Sequence, residues 1–183
     1  MKKLIGLFIL IGVLIASNAS FAQECKNFHK KKCRGSDNPN MGYNTQSKSG
    51  MFILGHTSDL VFVGHAGQDY RVSLCQDNDV EEPVKFKIID SRSKDVLFDN
   101  EAAALDVPME EEGNNGEDLE NGELPMFFEF SAETTKKVIV RITAPGPPPE
   151  EGKKGKRDAE PDPESLFCVG VLIEYMPTPK LGF

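Results

Sequence analysis

Tryptophan is absent from this 183-residue chain, and only three tyrosines and three histidines are present. Without tryptophan, and with no aromatics interleaved among its basic residues, the chain has little material for a stacking platform for bases or sugar rings. It also lacks His-Glu-x-x-His, Gly-x-Ser-x-Gly, a P-loop and a dinucleotide fingerprint. No Cys-x-x-Cys pair occurs, and His29 is the sole histidine near two cysteines, so a structural zinc site is disfavoured. Basic charge is in deficit too. There are 21 Lys and Arg against 29 Asp and Glu, a formal net charge of −8. A chain this acidic is a poor binder of nucleic-acid backbones or anionic membranes.

What is present begins with an export signal. Met1-Lys2-Lys3 precedes an apolar run from Leu4 to Ile15, followed by small residues ending in Ser20-Phe21-Ala22. That run is too short to cross ~30 Å of hydrocarbon, and Ser20 and Ala22 suit a signal-peptidase site before Gln23, with Ala19 a second cut. Glu24 precedes Cys25 where lipidation wants a small residue. The leader takes Lys2 and Lys3 with it, so the mature chain is still more acidic. The expected location is the periplasm or the exterior, with no stable membrane span once the leader is removed.

Four cysteines, Cys25, Cys33, Cys75 and Cys168, form an even set in an exported chain and predict two disulfides. Residues 24–34 are basic and suit a short helix. A helix from Cys25 to Cys33 separates their Cα atoms by roughly 12 Å, beyond the ~7 Å reach of a bridge. Helical geometry therefore implies that each bonds to a strand cysteine, stapling the segment to the sheet. A looped segment permits Cys25–Cys33 with Cys75–Cys168.

Residues 35–49 read as linker. From Gly50 the period becomes that of strands. Val72 and Leu74 alternate with Ser73 and Cys75; Val84, Phe86 and Ile88 alternate with Lys85 and Lys87; Phe167, Val169, Val171, Ile173 and Tyr175 share one face. Further strands are expected around 51–54, 59–63, 96–98, 126–130 and 138–142. About eight short strands without a long helix predict an all-β, antiparallel, jelly-roll-like sandwich over 50–175, with a closed barrel as the alternative. Polar insertions are expected at 100–125 and 144–165, and a tail at 176–183. The first insertion carries nine acidic residues between Glu101 and Glu123.

Candidate chemistry is sparse. His56 and His65 should flank one strand, too far apart to share a metal or substrate. The hard oxygen donors Asp77, Asp79, Glu81 and Glu82, with Asn78, make a tight inter-strand loop suited to a weak calcium site, and Glu112 to Glu123 offers a second cluster. Two basic islands, Lys30–Arg34 and Lys153–Arg157, could grip an anionic partner or pair with the acidic loop.

Gly67-Gln68-Asp69-Tyr70-Arg71-Val72-Ser73-Leu74-Cys75, Val84 to Asp90 and Val96 to Asp99 resemble segments of uncharacterised exported β-sandwich proteins of Bacteroidetes-type bacteria. Those proteins similarly open on a Cys-Lys-x-Phe segment, here Cys25 to Phe28, and close on a strand like Cys168 to Leu172. The likeness covers nearly the whole mature chain except the two polar insertions. The same Gly-Gln-x-Tyr strand more distantly resembles the pre-peptidase C-terminal domains, which are jelly rolls accompanying secreted peptidases. Calcium-suited aspartates of that family's middle strand are not matched by Lys85 and Lys87. Neither resemblance implies catalytic residues or a cofactor beyond calcium.

The expected function is therefore a non-enzymatic exported module binding a protein, glycan or envelope component. An envelope assembly or adhesion subunit and a small carboxylate-dependent hydrolase are the alternatives.

Overall fold

A computed structural model describes residues 25–105, 124–148 and 165–179. The expected leader and most of both polar insertions lie outside the described residues. Strands account for most of what is described. α1 (Phe28–Lys32) is followed by β1 (Gly42–Tyr43), β2 (Lys48–Ile53), β3 (Thr57–Gly64), β4 (Gln68–Gln76), β5 (Lys85–Asp90) and β6 (Val96–Asp99). Then come α2 (Asn100–Leu105), β7 (Phe127–Ala132), β8 (Lys136–Thr143) and β9 (Leu166–Pro177).

The strands form two separate antiparallel sheets, which is the sandwich and not the barrel. One has the order β1-β9-β4-β7, with β2 also on β9; the other has the order β3-β8-β5-β6. β1 and β2 lie along the same edge of β9, opposite residues 174–175 and 166–171. Between them Asn44–Ser47 bulges away. The Ser47 hydroxyl accepts from the Ile173 N–H (2.9 Å) and donates to the Asn44 carbonyl (2.7 Å), replacing the ladder bond lost there. Gln46 reaches to the other sheet, where its amide bonds both the N–H and the carbonyl of Val63 in β3 (2.8 and 3.1 Å). The stretch assigned to linker is thus partly strand, stitched to both sheets by side chains.

Alternation of side chains across each strand fills the space between the sheets. Tyr70, Val72 and Leu74 of β4 and Phe167, Val169, Val171 and Ile173 of β9 face Phe62 of β3, Phe86 and Ile88 of β5, and Val138, Val140 and Ile142 of β8. Each such burial stabilises by roughly 1.5–3 kcal/mol. Phenylalanines close the flank opposite β2 and β3: Phe128 of β7 stacks on Phe98 of β6 with centroids 4.4 Å apart, and Phe98 meets Phe86 at 5.4 Å.

Residues 100–105, expected to belong to a loop, form α2. Its first residue explains it. Asn100 is fully buried, accepts from the Phe86 N–H (2.8 Å) and donates to the Val84 carbonyl (3.2 Å). That side chain ties the end of β6 to β5 and turns the chain.

α1 lies on the outer face of the first sheet. Cys25 bonds Cys168 of β9, and Cys33 bonds Cys75 of β4, with Cα separations of 5.2 and 4.9 Å. Of the two pairings left open this is the stapled one, although the helix is shorter than residues 24–34 suggest and neither cysteine lies within it. Gly170 allows the close seat: a Cβ there would lie 2.7 Å from Cys75 Sγ and 2.8 Å from His29 Cα. Among the described residues no helix is long and apolar enough to cross a membrane.

Candidate binding site

Asp77, Asp79, Glu81 and Glu82 all line one cavity of about 400 Å³ at the end of the sandwich where β4 stops and β9 starts. The loop carrying them is held from beneath by Gln76. Its amide nitrogen donates to the carbonyls of Val80 (2.9 Å) and Glu82 (2.8 Å), and its oxygen accepts from the Val84 N–H (2.6 Å). The Asp77 N–H adds a bond to the Cys168 carbonyl (3.1 Å). Asp77 is half-buried, whereas Asp79, Glu81 and Glu82 are exposed.

The opposite wall comes from two turns remote in sequence. The Leu54 N–H donates to the Ser165 carbonyl (3.0 Å) and the Gly55 N–H to the Pro145 carbonyl (2.8 Å). Gly55 has φ +76°, and a Cβ on it would come within 2.0 Å of the Pro147 carbonyl oxygen, so only glycine makes this turn. Leu54, Val80, Pro145, Leu166 and Phe167 give the cavity an apolar floor. Leu54 is 37% exposed, one of several large apolar side chains open to solvent.

Among the described residues, none of the four carboxylates has an ion-pair partner. Several acids elsewhere are paired: Asp59 with Arg141, Asp90 with Lys136, Asp99 with Lys87, Glu101 with Lys85, and Glu129 with Arg71. Among the described residues no group of three or more His, Cys, Asp or Glu side chains is placed to hold a metal ion. The four calcium candidates therefore share a wall without forming a shell of ligands; Glu112 to Glu123 lies outside the described residues.

The other candidate residues are dispersed. His56 and His65 are exposed and flank opposite ends of β3. His65 lines a second cavity, of about 440 Å³, at the far end of the sandwich, where Tyr43, Gln46, Gln68, Tyr70 and Tyr175 also contribute. Many of its polar groups are engaged internally: Gln46 with Val63, the Tyr70 hydroxyl with the His65 N–H (2.8 Å), and the Tyr43 hydroxyl with His29 (3.2 Å). Lys30, Lys31 and Lys32 are exposed on α1, with Lys30 Nζ 4.4 Å from the Tyr43 ring centroid, and Arg34 bonds Asp37 at 3.2 Å.

One constellation escaped the sequence reading. His29 is buried under α1, its Nδ1 2.6 Å from the Ser49 hydroxyl, which also accepts the His29 backbone N–H at 2.8 Å. Burial, and then the neighbouring Lys30 charge, hold the imidazole below its ordinary pKa. Each ring nitrogen thus has a hydroxyl partner, Nδ1 with Ser49 and Nε2 with Tyr43. His29 is buried whereas Ser49 is half-exposed, and the pair fastens α1 to β2. Nothing in the spacing of residues 29, 43 and 49 announces this, because the three meet only once β1, β2 and α1 assemble on β9.

The fold defines a class: an all-β sandwich with an N-terminal segment stapled to its outer face. No family model matches the chain and no curated protein matches it. Among solved structures it is similar to PliG of Aeromonas hydrophila, a periplasmic inhibitor of g-type lysozyme, with 9% identity and a TM-score of 0.38. The match covers 78% of this chain and 92% of that one. At that TM-score the likeness carries nothing about function.

Proposed function

We propose that this chain is an exported, non-enzymatic binding module of the cell envelope, working in the periplasm or outside the cell. Its ligand site is the cavity between the Asp77–Glu82 loop and the Leu54–Gly55 turn. One observation carries the reading: an apolar floor, open to solvent through Leu54, lies between walls fixed by Gln76 and by tight turns. Such prearranged concave sites with a few placed polar groups are where ligands bind at low ordering cost. The export part rests on the leader-like start and on two disulfides, which persist in oxidising compartments.

The test is site-specific photo-crosslinking in the native envelope, with the reactive group placed at Leu54 and, as a control, at Ser131 on the outer face of the first sheet. A discrete adduct from position 54 and none from 131 is expected. Equal adducts from both, or none from 54, would remove the cavity from the reading.

A second reading, an assembly subunit, is favoured by the edge of β3, which no strand covers among the described residues. Gln46 caps Val63 there, but the N–H and carbonyl groups of Asp59 and Val61, in the same phase of the antiparallel ladder, face outward, and Val61 is 49% exposed. Light scattering over a concentration series checks it: a constant monomer mass removes self-assembly.

A further inference from the structure

Resting on that reading, we infer that the occupant of the end cavity is a cationic amphipathic segment of a partner polypeptide, with Lys or Arg flanking an apolar side chain. Four carboxylates alone would be a solvated turn. Here they share one cavity with the apolar side chains of Leu166, Phe167 and, on the facing wall, Leu54. An apolar side chain on the floor brings its sequence neighbours against the carboxylates, and only positive neighbours gain there. Anionic or neutral neighbours would leave Asp77, Asp79 and Glu81 without a cation and Glu82 with only the nearby Lys85 charge, among the described residues. A net charge of −8 adds a long-range field that favours the approach of a cation. The walls match this division of labour. The acidic side is held in shape by three bonds from Gln76, so the charges are placed before the partner arrives. The Gly55 turn holds Leu54 on the facing side by its bond to Pro145. A lone divalent ion would use only the carboxylates and would leave the floor wet.

The experiment is fluorescence anisotropy with the full oxidised mature chain and a labelled peptide alternating leucine and lysine. Two controls replace its lysines by glutamate and its leucines by serine. Binding of the first peptide alone is expected. The combined variant Asp77→Asn, Asp79→Asn, Glu81→Gln, Glu82→Gln should weaken it about tenfold, in line with several exposed charge contacts. Leu54→Ser should weaken it as well, and rising salt should do the same. Unchanged thermal melts show that these variants remain folded, and a variant with a lowered melt is replaced by its single substitutions. Equal binding of the glutamate or serine peptide, or no loss in the combined variant, overturns the proposal. Loss of peptide binding in millimolar calcium, with calcium raising the melting temperature only when the four carboxylates are intact, overturns it in favour of an inorganic cation. Binding seen only after Lys153, Lys154, Lys156 and Arg157 are changed to serine overturns it in favour of the chain's own basic segment. A crosslink from Leu54 that survives when the peptide fails discards the cationic partner and keeps the binding module.

Discussion

His29 is the residue where burial, charge and covalent staples meet. It sits among Ser49, Tyr43 and Lys30 with Gly170 beneath, and burial favours its neutral form. Burial first and Lys30 second depress its pKa, so the folded protein holds fewer protons than the unfolded chain just below the ordinary histidine value of 6.5. The stability this site contributes is therefore complete above pH 6.5 and is lost as pH falls towards the folded-state value. Thermal melts from about pH 7.5 to about pH 5 should show a decline that His29→Gln makes shallower. Parallel curves for the two proteins would show that the histidine is not the titrating group. The sequence offers little warning, since the burial of His29 depends on a glycine 141 positions downstream.

At the scale of elements, alternation was the legible part. Val72/Leu74, Phe86/Ile88 and Val169/Val171 announce inward faces because a two-residue period survives any choice of neighbour. The even cysteine count announces two bridges but leaves the stapled and the looped pairings open. What stayed hidden depends on partners far along the chain. The Asn44–Ser47 bulge, rich in turn formers, reads as linker until Gln46 meets Val63 and Ser47 meets Ile173. Likewise α2 opens an acidic stretch that resembles solvated loop, and its anchor is a single asparagine. Asn100→Ala should cost roughly 1–3 kcal/mol, because the Phe86 N–H and Val84 carbonyl lose their buried partner. Urea unfolding measures it, and a change well below that range would mean water fills the gap. The cavity was half legible: its carboxylates are contiguous, whereas its floor is gathered from residues 54, 145 and 166–167.

On the scale of the whole molecule, β9 is the organiser. It pairs with β4 along nine residues and with β1 and β2 on its other edge, and it carries one end of a staple. Most of the described contacts are long-range, so the sheets close only after the C-terminal strand exists. The two bridges span 143 and 42 positions, and each should contribute on the order of 2–4 kcal/mol by restricting the unfolded chain. Non-reducing peptide mapping should recover Cys25 linked to Cys168 and Cys33 linked to Cys75, with no alkylatable thiol. A Cys25–Cys33 peptide would refute the stapled arrangement. Replacing either pair by serine should lower the melting temperature and leave the strand core able to form.

The staples also set how the molecule bears load. A pull applied ahead of Cys25 passes through its bridge straight into β9 beside β4, at the middle of the sheet, and never travels through α1, β1 or β2. Tension from that side loads the nine-residue β4–β9 ladder directly, whereas under reducing conditions the same pull would reach the N-terminal segment first.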